Sequence, residues 1–191
     1  MNVSMRKPTS VAEFLDWEER QELRYEFDGF QVTAMTGGTF EHDAIQMALA
    51  RTLGNRLDGK PCRVHGSNLK IEVMGSIRYP DAYVTCGPIT RGSTVARDPV
   101  VIFEVLSKGT AAKDRGVKNR EYASTASVRR YVMLEQVEVG GTMFERVGDD
   151  WIGHILTADA VIGMPEVDIE LPLAELYAGL DLTNPPPDEA D

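Results

Sequence analysis

The run Val100-Val101-Ile102-Phe103-Glu104-Val105-Leu106 holds one carboxylate among six apolar residues. Strand alternation puts Val100, Ile102, Glu104 and Leu106 on one face and Val101, Phe103 and Val105 on the other. Both faces are apolar, which predicts a central strand. A carboxylate buried there without a partner is costly. An arginine such as Arg130, a proton or a metal ion has to compensate it. A structural ion pair and a metal site both remain open, and a buried acid of this kind is a candidate for function.

A second acid stands in Pro80-Asp81-Ala82-Tyr83-Val84. Proline has no amide donor and starts strands, so Asp81 falls at a strand entrance. Taken alone, Asp81 fits ordinary turn chemistry, bonding nearby amides. Taken with Glu104 it fits more. The two acids lie on predicted strands joined by one loop, and neighbouring strands would let both converge on one hard cation. Mg²⁺ favours one or two carboxylates together with water and phosphate oxygens.

After the Glu104 strand comes a polar-faced helix, 111–123, containing Lys113-Asp114-Arg115-Gly116-Val117-Lys118. Asp114 and Lys118 are four apart and share a face. One reading is a solvated intrahelical ion pair. The other turns Lys118 toward a metal site, where it orients a water or meets charge developing at phosphorus. Lys113, Arg115, Lys118 and Arg120, with Arg129 and Arg130, form the densest basic cluster, a candidate phosphate-contact surface.

The elements that must position these groups follow from pattern. Thr9 or Ser10 caps a helix over 11–19, supported by Glu13. Asp28-Gly29 between β-prone residues predicts a hairpin. Ala44, Ile45, Ala48, Leu49, Leu53 and Leu57 form a helical stripe over 41–57. Strands are expected at 63–65, 69–73, 82–86, 100–106 and 130–134. A loop at 87–99, a meander over 137–171 and a short helix at 173–179 complete the chain. The expected fold class is α/β (α+β), a mixed β-sheet core flanked by helices with a C-terminal β-meander.

The 191 residues suit one domain, expected over 1–183, with a Pro-rich acidic tail, 184–191, that reads as extended. The apolar share of 42% is enough for a core. No run is long enough to span a bilayer, and no apolar stretch follows Arg6 and Lys7 as a secretory signal would require. A cytoplasmic protein without a membrane partner is expected. Cys62 and Cys86 are too few for a disulfide framework or cysteine zinc site, and both are expected reduced and half-buried. Twenty basic against thirty acidic side chains give a formal charge of −10. Nucleic-acid affinity is dominated by cations meeting phosphates, so such a chain needs a local basic patch, a metal ion or a partner to engage DNA.

The ordered pattern Arg24-Tyr25-Glu26-Phe27-Asp28-Gly29, Glu41-His42, Pro80-Asp81, Glu104-Val105-Leu106-Ser107, Asp114…Lys118…Tyr122 and Arg130-Tyr131-Val132 resembles the Uma-type restriction-endonuclease family of the PD-(D/E)xK nuclease superfamily. The resemblance runs from about Ser10 to Glu135. It implies a restriction-endonuclease-like sheet with helices on either side. It implies that Asp81 is the metal-binding aspartate and Glu104 the acid of the next motif. The superfamily's lysine two residues after that acid is replaced here by Leu106, and the family's helix lysine matches Lys118. Glu26 matches a family acid that reaches the metal or its water. His42 matches a family histidine at a helix start, read here as a helix-terminal residue bonded to a loop. Two positions depart from the family: Gln31 stands where an acid is common, and Tyr131 or Val132 where a Trp is common.

The resulting expectation is a Mg²⁺-dependent endonuclease acting on DNA, with Mn²⁺ as a substitute ion and a homodimer as the working unit. Asp81, Glu104 and the backbone carbonyl of Val105 hold the ion, Lys118 serves the water or the phosphorane, and Glu26 assists. A non-catalytic binding or dimerisation module with the same fold, and a small-molecule metal hydrolase, are the rivals. His65 and His154 are isolated, Gly37-Gly38 lacks a following Lys-Ser/Thr, and Trp17 and Trp151 read as packing residues.

Overall fold

The computed structural model describes residues 7–107 and 109–183. The expected extended tail lies outside the described residues. Helix α1, Val11–Glu18, starts at Ser10, whose hydroxyl accepts the Glu13 amide, while the Glu13 carboxylate accepts the Thr9 amide. The β1 (Tyr25–Phe27) and β2 (Val32–Ala34) hairpin closes through Asp28, whose carboxylate accepts the Phe30 and Gln31 amides. Gly29 supplies the positive φ of 88° in that turn. Helix α2, Phe40–Leu57, is capped by the Thr39 hydroxyl and buries Ile45, Leu49, Leu53 and Leu57.

Six strands form the central sheet: β3 (Arg63–Gly66), β6 (Ala82–Thr85), β8 (Pro99–Leu106), β9 (Arg130–Glu135), β10 (Gly141–Val147) and β11 (Asp150–Leu156). Their order is β11-β10-β9-β8-β6-β3, with β8 and β9 parallel and the other pairs antiparallel. A second sheet runs β2-β1-β5-β4-β7, with β4 (Lys70–Val73), β5 (Ser76–Arg78) and β7 (Val95–Ala96). Strands β12 (Val161–Met164) and β13 (Ile169–Pro172) form a separate hairpin.

The Glu104 strand is central, as its two apolar faces require. Val101, Phe103 and Val105 pack with Ile45, Leu49 and Leu53 of α2 and with Ile162 and Leu171. Ile102 and Leu106 pack on the opposite side with Tyr83, Tyr122 and Tyr131. The expected meander divides: β10 and β11 extend the central sheet, and β12–β13 folds back onto the α2 core.

The expected helix over 111–123 is present with an irregularity. It runs as α3 (Ala111–Lys113), a π-helical segment (Asp114–Lys118) and α4 (Asn119–Ala123). Strands β5 and β7 lie outside the expected set. The β4–β5 turn is Met74-Gly75, both at positive φ, which lacks the usual Asn-Gly or Asp-Gly signal. The expectation of reduced cysteines is overturned: Cys62 and Cys86 form a disulfide, and Cys86 is exposed. The register pairs Arg63 with Thr85, so the flanking cysteines face each other across β3 and β6, with Cα atoms 3.9 Å apart. A separation of 24 residues gives no hint of that register. No helix among the described residues is long and apolar enough to cross a membrane.

Candidate active site

Ala82 pairs with Phe103 and Tyr83 with Ile102, so one further step sets Asp81 opposite Glu104. Asp81 Oδ2 accepts the Val105 amide at 2.7 Å, a bond across the strands rather than within a local turn. Helix α2 supplies two more partners from one face, four residues apart. Gln46 Nε2 donates to the Asp81 carbonyl at 3.1 Å and to Oδ1 at 3.3 Å. His42 Nε2 lies 3.4 Å from Asp81 Oδ2. The hydrogen bond to Asp81 raises the His42 pKa against its burial, and a bond to the Val105 backbone adds to the rise. The His42 ring thus reaches Asp81, in the bend that enters β6, and the backbone of β8 at Val105. Gly38 makes room for it, because a Cβ there would come 2.9 Å from the imidazole Nδ1.

On the other side of Glu104 stands the π-helical segment. Lys118 Nζ is 2.8 Å from Glu104 Oε1, 3.0 Å from Asp114 Oδ1 and 3.3 Å from Glu26 Oε1. The Tyr122 hydroxyl donates to Glu104 Oε1 at 3.2 Å. The Asp114–Lys118 pair is therefore buried, not solvated. Arg130 does not meet Glu104; it pairs with Glu145 at 2.8 Å and Glu166 at 2.9 Å. Burial pushes the Glu104 carboxyl well up, Lys118 opposes this, and Asp114, Asp81 and Glu26 add to it. Lys118 stays charged, because the three surrounding carboxylates outweigh its burial.

Glu26, on β1, lies under the same cleft. Arg78 Nη1 is 3.2 Å from its Oε2, Lys113 Nζ is 3.1 Å away, and the Tyr79 amide donates to Oε1 at 3.4 Å. Burial favours its protonated form, but Lys118, Arg78 and Lys113 overcome that and bring its pKa to about 2. Arg78 is fully buried and also holds Glu121 at 2.6 Å. Pattern alone missed Gln46, Arg78 and Glu121. The His42–Gln46 spacing beside the apolar stripe of α2 was the one available signal.

The basic cluster expected as a phosphate surface is largely neutralised. Lys118 and Arg130 are buried among carboxylates, Lys113 pairs with Glu26, and Arg115 pairs with Glu135. Arg120 and Arg129 remain exposed.

Glu26, His42, Asp81, Glu104, Val105, Lys113, Asp114 and Lys118 all border one cleft of about 190 Å³. Its lining sets four carboxyl groups, Glu26, Asp81, Glu104 and Asp114, against Lys113, Lys118 and His42. Among the described residues no group of three or more His, Cys, Asp or Glu side chains is arranged to hold a metal ion. Asp81 and Glu104 are the pair of cleft acids that the β6–β8 register sets opposite each other, and Mg²⁺ is a cation that accepts one or two carboxylates with water filling its remaining positions.

The model of the Uma2 family, described as "Putative restriction endonuclease", matches residues 11–174. The chain belongs to the Uma2 family. It is 34% identical over 175 residues to the uncharacterized protein slr1290 of Synechocystis sp., covering 90% of this chain and 92% of that one. It is 25% identical over 158 residues to the uncharacterized protein sll1609 of the same organism, covering 80% and 89%. The crystal structure of "a putative nuclease belonging to DUF820" from Anabaena variabilis superposes with a TM-score of 0.74 at 15% identity, covering 90% of this Uma2 chain and 98% of that one. The Uma2 fold described above is restriction-endonuclease-like.

Proposed function

We propose that this Uma2 protein is a nuclease that hydrolyses DNA phosphodiester bonds with Mg²⁺, Mn²⁺ serving as a substitute. The observation that carries the reading is the placement of Asp81, at the entrance of β6, opposite Glu104 of β8, in a cleft lined by four carboxyl groups and two lysines. Asp81, Glu104 and the Val105 carbonyl would hold the ion. When bound, such an ion polarises a phosphoryl oxygen and lowers the pKa of its water.

The protein's own groups prepare that site. The Val105 amide and Gln46 fix the Asp81 carboxylate, with His42 against the same oxygen. Lys118 favours ionised Glu104 despite its burial, and in this reading it serves the attacking water through that carboxylate. Glu26, ionised throughout the neutral range, anchors both cleft lysines. The working unit is a homodimer, since cutting both strands of a duplex needs two sites. The β11 edge of the sheet, unpaired among the described residues, with Ile155 84% exposed, supports that assembly.

A second reading, a small-molecule metal hydrolase, is favoured by the neutralised basic cluster and the net charge of −10. Nicking of supercoiled plasmid in Mg²⁺, with EDTA and Asp81→Asn as controls, tests the nuclease. Cleavage by wild type alone supports it. Equal products from wild type and Asp81→Asn reject it. No products, together with Mn²⁺-dependent hydrolysis of a small phosphodiester, favour the second reading.

A further inference from the structure

The site holds two lysines, and the structure separates their roles. In a regular helix of 3.6 residues per turn, positions 113 and 118 diverge, whereas 114 and 118 align. The π-helical segment at Asp114–Lys118 widens the turn, and π-bulges recur at functional sites. As a result Lys113, Asp114 and Lys118 all border the cleft, and both ammonium groups reach Glu26, Lys113 at Oε2 and Lys118 at Oε1.

Their surroundings differ. Lys118 is buried and contacts Glu104, Asp114 and Glu26, so moving it would leave buried carboxylates without a cation. Lys113 has one carboxylate partner, Glu26, and its side chain is 26% exposed. Glu26 does not depend on it, because Arg78, Lys118 and the Tyr79 amide also hold that carboxylate. Lys113 is therefore the cation, among the described cleft residues, that can leave its partner without stranding a buried charge.

We propose that Lys113 is the residue that contacts the scissile phosphate, releasing Glu26 to take a non-bridging phosphate oxygen, and that Lys118 is a positioning residue for Glu104. This rests on the phosphodiesterase reading above. The charge that grows on phosphorus as the water adds is then met by an ammonium already at the cleft, the arrangement that makes preorganised cations effective.

The test uses the full chain, a fluorescent oligonucleotide and two ions: Ca²⁺ to read binding without turnover, and Mn²⁺ to read metal binding and cleavage. Lys113→Met should weaken oligonucleotide binding in Ca²⁺ about tenfold and lower cleavage in Mn²⁺ about 100-fold. Its Mn²⁺ thermal shift should equal that of wild type. Lys113→Arg should recover part of the loss, since a cation returns with altered geometry. Lys118→Met should lose the Mn²⁺ shift itself, and Lys118→Arg, if Lys118→Met does not fold, should weaken Mn²⁺ binding more than oligonucleotide binding. Oligonucleotide binding and cleavage by Lys113→Met within threefold of wild type would overturn the assignment. Wild type that shows the Mn²⁺ shift but binds no oligonucleotide overturns the DNA reading and this assignment together. Wild type without any Mn²⁺ shift instead marks failure of the metal reading, and with it of the phosphate contact proposed here.

Discussion

The Asp81 carboxylate accepts the Val105 amide at 2.7 Å across the β6–β8 pair. The strand that carries Glu104 thus also fixes the orientation of the facing acid. The bond engages one carboxylate oxygen, while Gln46 reaches the other. A neutral amide of the same shape can still accept the Val105 N–H. A truncated side chain cannot, and the buried donor would go unpaired.

Asp81→Asn should accordingly stay within about 1 kcal/mol of wild-type stability, and Asp81→Ala should lose about 1–3 kcal/mol. Urea denaturation in EDTA measures both. Equal losses in the two variants would show that the carboxylate is not held as described.

Glu26 should govern acid stability. Its folded pKa of about 2 is below the ordinary carboxyl value of 4.5. A depressed carboxyl contributes stability that is present above 4.5 and disappears as pH falls through about 2. The shift corresponds to roughly 3 kcal/mol at neutral pH. Glu26→Gln should therefore unfold more readily than wild type at pH 6, and the gap should close below pH 3. Denaturation midpoints between pH 2 and 7 test this; a gap that widens toward low pH contradicts it.

Lys118→Met should be among the most destabilising substitutions near the cleft. It removes a buried cation shared by Glu104, Asp114 and Glu26. Breaking such a pair costs about 3–5 kcal/mol. Lys113→Met removes a partly buried cation that is redundant for Glu26 and should cost less than about 1 kcal/mol. Thermal and urea unfolding of the two variants side by side checks the difference, and equal losses would contradict the separate roles of the lysines.

Much of the framework was legible because hydrophobic period carries it. The apolar stripe of α2 and the doubly apolar run at 100–106 pointed to the helix and central strand that build the site. Asp28-Gly29 marked its hairpin through turn chemistry. What escaped depends on long-range register. Pairing of β3 with β6 joins Cys62 to Cys86, and nothing in either segment specifies that partner. The basic cluster looked like a surface because charge in one dimension does not show its partners. Glu145 and Glu166, which neutralise Arg130, come from distant elements. Arg78 was overlooked in a strand with an unusual Met-Gly turn, though it lies beneath Glu26 and Glu121. The π-helical segment was hidden too, because a run of polar residues fits an ordinary helix equally well.

The most direct measurement is the Mn²⁺-dependent melting temperature of wild type, Asp81→Asn and Glu104→Gln. An ion bound only by the native state at about 100 times its Kd stabilises by about 2.7 kcal/mol. For a chain of this size that is a rise of roughly 5–10 °C. Wild type should show that rise. Glu104→Gln should lose it while matching wild type in EDTA, because Gln can still accept from Lys118 and Tyr122, and Lys118 keeps Asp114 and Glu26. Asp81→Asn should lose it as well. An equal rise in all three proteins, or none in wild type at millimolar Mn²⁺, would contradict a metal site built on Asp81 and Glu104.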